Sequence, residues 1–320
     1  MTKRKVLVCG ATGFIGRNIV ERFAENAAYE VTAVAHQRPH YDCRGVRWVE
    51  ADLTREADVA RVVRGADVIV QAAATTSGSK DIVTRPYIHI ADNAVMNSLL
   101  FRAAFDAGVG HVVFFSCAVM LQSDEAPQAE EAFDANADMH ARYFGPGWTK
   151  VYLEKMCEFY ARLGPTRYTV IRHSNVYGPH DKFDLERSHV FGATVTKAMT
   201  AADGRLVVWG PGEEGRDLLY VDDLVDFVEC AISRQAAKFG LYNCGSGEAV
   251  RVKDLVQRIL VHAGRALVME HDLSQPTIPM TVVLDCAKAQ RELGWSPRTS
   301  LDEGIERTLA WWKANVGAGR

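Results

Sequence analysis

The sequence has no apolar run that approaches the ~20 residues needed for a membrane-spanning helix, so it predicts no such helix and no membrane partner. It also has no strong excess of one charge. The 320 residues include 37 lysines and arginines and 40 aspartates and glutamates, which give a formal net charge of −3. A nearly balanced charge does not favour a nucleic acid or another polyanion as a partner.

Paired cysteines and clustered histidines are absent as well. The seven cysteines form no CxxC pair, and the sequence therefore predicts no metal site. An odd number of scattered cysteines is typical of a reducing compartment, so the predicted location is the cytoplasm. The basic start "MTKRKVLVCG" is interpreted as leading into a buried strand, because "VLVC" is too short for the apolar region of a signal peptide.

Short β-branched runs alternate with helical segments in the first half of the chain. Examples are "KVLVCG", "YEVTAVA", "ADVIVQAA" and "HVVFFSCA", each typical of a buried strand. This alternation predicts an α/β fold with a doubly wound parallel (Rossmann) sheet covered by helices on both faces, and a smaller C-terminal α/β lobe. We expect residues 1–172 and about 217–246 to form a dinucleotide-binding domain, and residues 173–216 and about 247–320 to form a lobe that binds the substrate.

Three glycines stand between the first predicted strand and the first predicted helix, in "GATGFIG". Gly10 permits a tight turn, Gly13 lets backbone N–H groups approach a pyrophosphate, and Gly16 lets the helix pack against the sheet. The N-terminus of the helix then faces the anion. This motif in this context predicts dinucleotide binding. The predicted loop also includes Thr12, Phe14 and Ile15.

The residues after the second predicted strand indicate which dinucleotide binds. An acidic residue about 20 positions after the loop would hold a ribose 2′-hydroxyl, but this position falls near Ala35, where no carboxylate occurs. His36 and Arg38 follow instead, and a cation there favours the extra phosphate of NADP. NADP is the predicted cofactor, with NAD as the alternative, since either side chain could be a solvated loop charge. The other predicted cofactor contacts are Asp52, which suits the adenine amine, Leu53, the small residues Ala72, Ala73 and Ala74, and Asn93.

Taken together, these and later segments resemble the extended short-chain dehydrogenase/reductase family, which includes nucleotide-sugar epimerases, dehydratases and reductases. The resemblance covers nearly the whole chain. Within the family, "VYGPHDKFDLERSHV" and "VVWGPG" look most like the GDP-L-fucose synthase branch, which epimerises and reduces a GDP-4-keto-6-deoxy sugar. The motifs that carry the resemblance are "GATGFIG" (10–16), "ADL" (51–53), "AAA" (72–74), "FFSCAVM" (114–120), "WTKVYLEK" (148–155), "RHSNVYGP" (172–179), "VVWGPGEEGRDLLYVDDLVD" (207–226) and "LGW" (293–295).

The resemblance implies roles for individual residues. Ser116 would hydrogen-bond the reacting oxygen of the sugar, and Lys150 would bind the nicotinamide ribose. His189 would act as an acid or base, as in the epimerising branch. The family often dimerises through two helices, which implies a homodimer through residues 93–107 and 149–163. The nucleotide sugar would also contact Asn175, Val190, Lys197, Trp209 and Arg216.

Two positions depart from the family pattern. The cysteine that partners the histidine in fucose synthases would fall on Ala118, and Cys117 beside it is expected to point to the opposite side of a strand. The family's tyrosine, four residues before the lysine, is replaced by Pro146. Proline is well tolerated in the first turn of a helix, but it has no proton to donate. The usual proton relay for hydride transfer at C4 of a sugar is therefore missing.

Three hypotheses are open at this point. Another group could supply the proton, and Tyr143 is the favoured candidate over His140 and Tyr152. Alternatively, the reaction could need no proton at C4, as in epimerisation beside a ketone with His189 as the base and Ser116 at the enolate oxygen. The protein could also bind cofactor and nucleotide sugar without turnover, as a regulatory protein. The favoured function is an NAD(P)-dependent epimerase or 4-keto reductase of a nucleotide-activated hexose, with a GDP-4-keto-6-deoxy sugar as the candidate substrate.

Overall fold

A computed structural model of the protein describes residues 2–75, 85–185, 188–275 and 277–317. Strands and helices are numbered along the chain within these ranges. The strands are β1 (Arg4–Cys9), β2 (Tyr29–Ala35), β3 (Arg47–Glu50), β4 (Val68–Gln71), β5 (His111–Phe115), β6 (Pro127–Gln128), β7 (Arg167–His173), β8 (Asn175–Tyr177), β9 (Arg205–Trp209), β10 (Gly215–Tyr220), β11 (Phe239–Cys244), β12 (Ala249–Arg251), β13 (Val268–Asp272) and β14 (Val283–Leu284).

The central sheet has the strand order β11-β7-β5-β4-β1-β2-β3, and its neighbouring strands all run parallel. Strands β4 and β5 are buried along their whole length, as expected for parallel strands covered on both faces. From β1 the chain proceeds outward to β3 and then returns to the other side of β1 as β4. This reversal of direction opens a crevice outside the carboxyl ends of β1 and β4.

Helices cover both faces of the sheet, and successive residues of β1 enter opposite cores because side chains alternate along a strand. Val6 and Val8 pack with α1, α6 and α8, whereas Leu7 and Cys9 pack with α2, α3 and α4. The helices are α1 (Phe14–Glu25), α2 (Glu56–Val62), α3 (Ala91–Asp106), α4 (Phe144–Leu163), α5 (Val190–Thr200), α6 (Val221–Arg234), α7 (Val252–Ala263), α8 (Ala287–Leu293) and α9 (Leu301–Asn315).

A third core lies in the C-terminal half of the chain. Helices α5, α7 and α9 pack there around Tyr177, Phe191 and Trp312. Smaller sheets accompany this core, with the orders β12-β10-β8 and β13-β9, and β14 pairs with β6. Strand β11, by contrast, returns to the edge of the central sheet beside β7.

The predicted doubly wound parallel sheet with helices on both faces is confirmed. The residue boundaries of the two lobes stay a prediction. In the described ranges, no helix combines the length and the apolar character that crossing a bilayer requires.

Candidate active site

The glycine-rich loop lies against the end of β4. Gly10 has a φ of +72°, and a Cβ added to it would lie 2.6 Å from the backbone of Ala73. A Cβ on Gly16 would collide with the carbonyl oxygen of Gly10. Gly13 precedes α1, whose first turn carries no acidic residue, so the N-terminus of this helix favours an anion. These residues fit the pyrophosphate of a dinucleotide. Thr12, Phe14 and Ile15 are partly exposed along the same loop.

The loop that follows β4 is held in place by Asn93, which is buried. Its Oδ1 accepts a hydrogen bond from the backbone N–H of Thr75 at 2.9 Å. Its Nδ2 donates to the carbonyl oxygens of Thr75 and His89, at 2.9 and 2.8 Å. Both ends of the amide are thus used within the protein. Asn93 thereby holds the loop that contains Ala72–Ala74, and its own contact with the cofactor stays a prediction.

Three of the predicted adenosine contacts lie after β2 and β3. His36 and Arg38 are exposed, and Nε2 of His36 lies 3.9 Å from Oδ2 of Asp52. Asp52 accepts hydrogen bonds from the hydroxyl and the backbone N–H of Thr54, which lower the pKa of its carboxyl group. Leu53 is buried in the core, so its predicted contact would have to use the backbone.

Lys150 lies beside the carboxyl end of β5. It lies on α4, and its Nζ donates to the carbonyl oxygen of Phe115 at the end of β5, at 2.7 Å. The ammonium also lies 4.7 Å from the centre of the Phe114 ring. Burial lowers the pKa of Lys150, and nearby Cys117 and Glu154 favour the charged form.

Ser116 lies outside the cleft. Its side chain is 1% exposed, and its hydroxyl donates to Oε1 of Glu154 at 2.5 Å. The same carboxylate accepts from Nε and Nη2 of Arg172, at 3.0 and 2.7 Å, in a buried ion pair. The position of Ser116 therefore does not support the predicted hydrogen bond to a sugar oxygen, because its hydroxyl already donates to Glu154 beneath α4.

Cys117 takes the place expected for Ser116. Its thiol interacts electrostatically with Lys150 and with Tyr143. The expectation that Cys117 points away from the site is thus wrong. Side chains do alternate here. However, β5 ends at Phe115, and Ser116 is the residue whose side chain points under α4, so the alternation is displaced by one residue from the expected one.

Tyr143 lies immediately before α4 and interacts electrostatically with Cys117. Burial raises the pKa of its hydroxyl, while the charge of Arg216 acts in the opposite direction. His140 accepts the backbone N–H of Arg142 and packs its ring 5.8 Å from that of Tyr143. Tyr152, the third candidate donor, is exposed on the outer surface of α4 and lies away from this cluster.

Arg216 and His189 belong to the same cluster, since Arg216 interacts electrostatically with Tyr143 and with His189. Nη1 of Arg216 donates to the carbonyl oxygens of Gly215 and Met280, at 2.8 and 2.5 Å, and Nη2 donates to that of Ile278 at 3.2 Å. Burial lowers the pKa of this guanidinium. Burial and the charges of Lys182 and Arg216 lower the pKa of His189 to about 4, so its imidazole is neutral near pH 7.

His173 is a cleft residue that the sequence analysis did not identify. Its Nδ1 donates to the carbonyl oxygen of Ser174 at 2.8 Å, and its ring lies 6.1 Å from that of Phe115. Burial, together with the charges of Lys150 and His189, lowers its pKa to about 4. The available signal was its place at the carboxyl end of β7, next to the crevice.

The remaining predicted substrate contacts lie further along the chain. Nζ of Lys197 donates to the carbonyl oxygen of Val207 at 2.7 Å and lies 5.8 Å from the centre of the Trp209 ring. Asn175 donates through Nδ2 to the carbonyl oxygen of Asp217 at 3.1 Å. Val190 is partly buried at the start of α5. No contact of these four residues with the Lys150–Arg216 cluster is seen among the described residues.

The solvent access of the cluster is that expected of a cleft. Cys117, Lys150 and His173 are each partly accessible to solvent, yet burial shifts the pKa of each. His189 is exposed at its edge and is shifted in the same way. Side chains in a concave site are expected to be partly accessible to solvent and yet surrounded by enough protein to shift their pKa values. In the described ranges, no group of three or more histidine, cysteine, aspartate or glutamate side chains is arranged to hold a metal ion.

Comparison with known proteins identifies the family. The NAD dependent epimerase/dehydratase family matches residues 6–245, which is more than half of the chain. The protein therefore belongs to this family, and the resemblance derived from the sequence is confirmed.

Similar proteins cover almost the whole chain. A dTDP-4-dehydro-6-deoxy-D-allose reductase from Streptomyces sp is 28% identical, over 97% of this chain and 96% of its own. A probable GDP-L-fucose synthase 1 from Oryza sativa subsp. japonica is 29% identical, over 98% of this chain and 93% of its own. Among solved structures, UDP-glucose 4-epimerase from Thermotoga maritima with UDP-glucose has a TM-score of 0.86 and 25% identity, over 98% of this chain and 99% of that one.

Proposed function

We propose that the protein is an NADP-dependent enzyme that epimerises or reduces a nucleotide-activated hexose. The observation that carries this proposal is a continuous set of titratable side chains between the dinucleotide crevice and Arg216. Cys117 interacts electrostatically with Lys150 and with Tyr143, and Arg216 interacts with both Tyr143 and His189. A regulatory protein would need residues that bind the cofactor and the nucleotide sugar, but it would not need groups that can transfer protons between these two sites.

The chain's residues divide the binding of the cofactor among three regions. The loop of Gly10–Gly16 would hold the pyrophosphate, and Lys150 would hold the nicotinamide ribose. His36 and Arg38 would face the 2′-phosphate of NADP, where β2 is followed by no carboxylate. When bound, the nicotinamide would supply or accept a hydride at a carbon of the sugar.

Arg216 is the best placed group for the diphosphate of the substrate. Three backbone carbonyls fix its guanidinium, and its one carboxylate neighbour in the described ranges, Glu214, is 3.7 Å away. The positive charge is therefore only partly compensated. Each charge-assisted hydrogen bond to a phosphate would contribute roughly 1.5–3 kcal/mol. Lys197 and the ring of Trp209 form a second cation and aromatic pair suited to the nucleotide.

His189 supports the epimerase half of the proposal. Because its pKa is about 4, its neutral ring can accept a proton near pH 7 from the carbon beside a ketone. The similar proteins are named for reduction of a 4-dehydro-6-deoxy sugar and for synthesis of GDP-L-fucose. We therefore take GDP-4-keto-6-deoxymannose as the candidate substrate.

Incubation with this substrate in D₂O, with and without NADPH, tests the proposal. Deuterium at C3 or C5 without NADPH indicates epimerisation, and consumption of NADPH indicates reduction. The variant His189→Asn should lose deuterium incorporation while still binding NADPH, which makes it the matched control. If several nucleotide sugars bind but none takes up deuterium or consumes NADPH, the proposed enzyme activity is wrong and the regulatory alternative is favoured.

We also propose that two copies of the chain associate through α3 and α4. These helices pack against each other, and their outer surface exposes apolar side chains. Phe159 is 55% exposed and Tyr152 is 52% exposed, with Val95 and Leu163 nearby on the same two helices. An apolar surface of this kind is typical of an interface.

A further inference from the structure

A thiol lies in the cluster of titratable groups around Lys150. Cys117 follows the end of β5, and its neighbour Ser116 turns the other way, under α4. The ammonium of Lys150 is held by a 2.7 Å hydrogen bond to the carbonyl oxygen of Phe115, which lies two residues before Cys117. The thiol also interacts electrostatically with Tyr143, and Tyr143 interacts with Arg216. The sulfur is thus linked both to the lysine and to the group that includes Arg216.

The groups around the sulfur come from several elements and mostly favour a negative charge. Lys150 from α4 and Arg172 from β7 are cationic, and the backbone N–H of Val119 also faces the sulfur. Glu154 from α4 opposes them, but its carboxylate is already paired with Arg172. Burial raises the pKa of the thiol, so Cys117 carries its proton at neutral pH, while these cationic groups lower the cost of giving it up.

We propose that Cys117 is the catalytic acid–base residue of this enzyme and that its thiol donates the proton to the sugar oxygen when the ketone is reduced. This inference rests on the proposed function. The S–H bond breaks, its electron pair stays on sulfur, and a new O–H bond forms on the sugar. The carbon of the former ketone gains the hydride, so the two bond changes together complete the reduction. The thiolate then recovers a proton from water, and oxidation reverses each step.

The other titratable groups in the cleft are less suited to this role. His173 and His189 have pKa values of about 4, so near pH 7 they are neutral bases without a proton to spare. Tyr143 carries a proton, but burial raises the pKa of its hydroxyl and its cationic neighbours are Arg216 and Arg142 rather than Lys150. Cys117 is the group that combines a transferable proton with contact to the lysine.

Turnover and thiol chemistry test the proposal together. With GDP-4-keto-6-deoxymannose and NADPH, Cys117→Ala should lower kcat by about 10²–10⁴-fold, the usual contribution of a general acid, while NADPH still binds. Cys117→Ser should also stay slow, since an alcohol is a far weaker acid than a thiol. Cys43→Ser, at a partly exposed cysteine outside the cleft, is the matched control and should keep wild-type turnover.

Alkylation by iodoacetamide, followed for each cysteine by mass spectrometry, gives a readout without substrate. The thiolate is the form that reacts, so the rate at Cys117 should rise with pH through the thiol pKa. In Lys150→Met this rise should move to a pH about one unit higher, because the ammonium no longer stabilises the thiolate. Cys43 should show no such movement.

The outcomes separate this inference from the proposed function. If the wild type turns over and Cys117→Ala or Cys117→Ser does so within about twofold of it, the acid role is overturned and the function stands. An unmoved alkylation profile in Lys150→Met overturns the role as well, whatever the substrate. If the profile moves as expected but the wild type converts no nucleotide sugar, the proposed function fails and the assignment of a proton donor fails with it.

Discussion

The replacement of a tyrosine by Pro146 removes a titratable group without disturbing the helix that carries it. Pro146 lies in the first turn of α4, where a backbone N–H would have no partner inside the helix. Lys150 follows one turn later and still reaches the carbonyl oxygen of Phe115. The lysine therefore keeps its place while its usual acid is gone. Cys117, on the other side of that lysine, is the side chain that this arrangement makes available.

Single residues should also decide the cofactor preference. Arg38→Ala should remove most of the preference for NADPH over NADH, because a charge-assisted hydrogen bond to the 2′-phosphate contributes roughly 1.5–3 kcal/mol, or about 10- to 100-fold in affinity. Fluorescence titration with both reduced cofactors measures the ratio. Arg44→Ala, an exposed arginine further along the same loop, should leave the ratio unchanged. Equal affinity of the unmodified protein for NADPH and NADH would contradict the assignment.

At the scale of elements, one carboxylate joins three of them. Glu154 projects from α4, accepts two hydrogen bonds from Arg172 at the end of β7, and accepts the hydroxyl of Ser116 just beyond β5. Arg172 also donates to the carbonyl oxygen of Glu130. The ion pair with Arg172 of β7 holds α4 against the sheet one helical turn from Lys150. The position of Lys150 beside the thiol depends on it.

Glu154→Gln should therefore lower the free energy of unfolding by about 3–5 kcal/mol, because it leaves the buried charge of Arg172 without a partner. Urea unfolding measures the change. Glu158→Gln, one turn further along α4 in a pair with exposed Lys155 and Arg162, is the matched control and should cost at most about 1 kcal/mol.

Adding Arg172→Met to Glu154→Gln should recover part of the loss, since the unpaired charge is removed with the arginine. A cost for Glu154→Gln no larger than that of the control would show that the ion pair does not hold α4 in place.

The elements could be predicted from the sequence where local patterns determine them. Each strand and the glycine loop is indicated by a pattern of a few neighbouring residues. Gly10, for example, has the positive φ that its motif requires. Which of the side chains of Ser116 and Cys117 points under α4 could not be predicted in this way, because it depends on where β5 stops pairing with β7. His173 was missed because the charge nearest to it, on Lys150, comes from another element.

At the scale of the whole molecule, the cleft exists because distant parts of the chain meet. Arg216 is fixed by the carbonyl oxygens of Met280 and Ile278, which follow it by more than 60 positions. Lys150 belongs to the helices that cover the central sheet. Folding of both parts is therefore needed to set the distance between the cofactor end and the substrate end. No local pattern in the sequence carries this information, which is why the roles of Arg216 and Lys150 could be inferred only through a resemblance.

Association of two copies would place the α4 helices, and with them both clefts, in one assembly. We expect the wild type to sediment as a dimer at micromolar concentration and Phe159→Glu to sediment as a monomer, since a carboxylate at this exposed apolar position would be buried without a partner. Leu273→Glu changes a still more exposed apolar residue, which follows β13 and lies outside α3 and α4, so it should stay dimeric. Analytical ultracentrifugation distinguishes these outcomes. A monomeric wild type, or a dimer that survives Phe159→Glu, would place the interface elsewhere or exclude it.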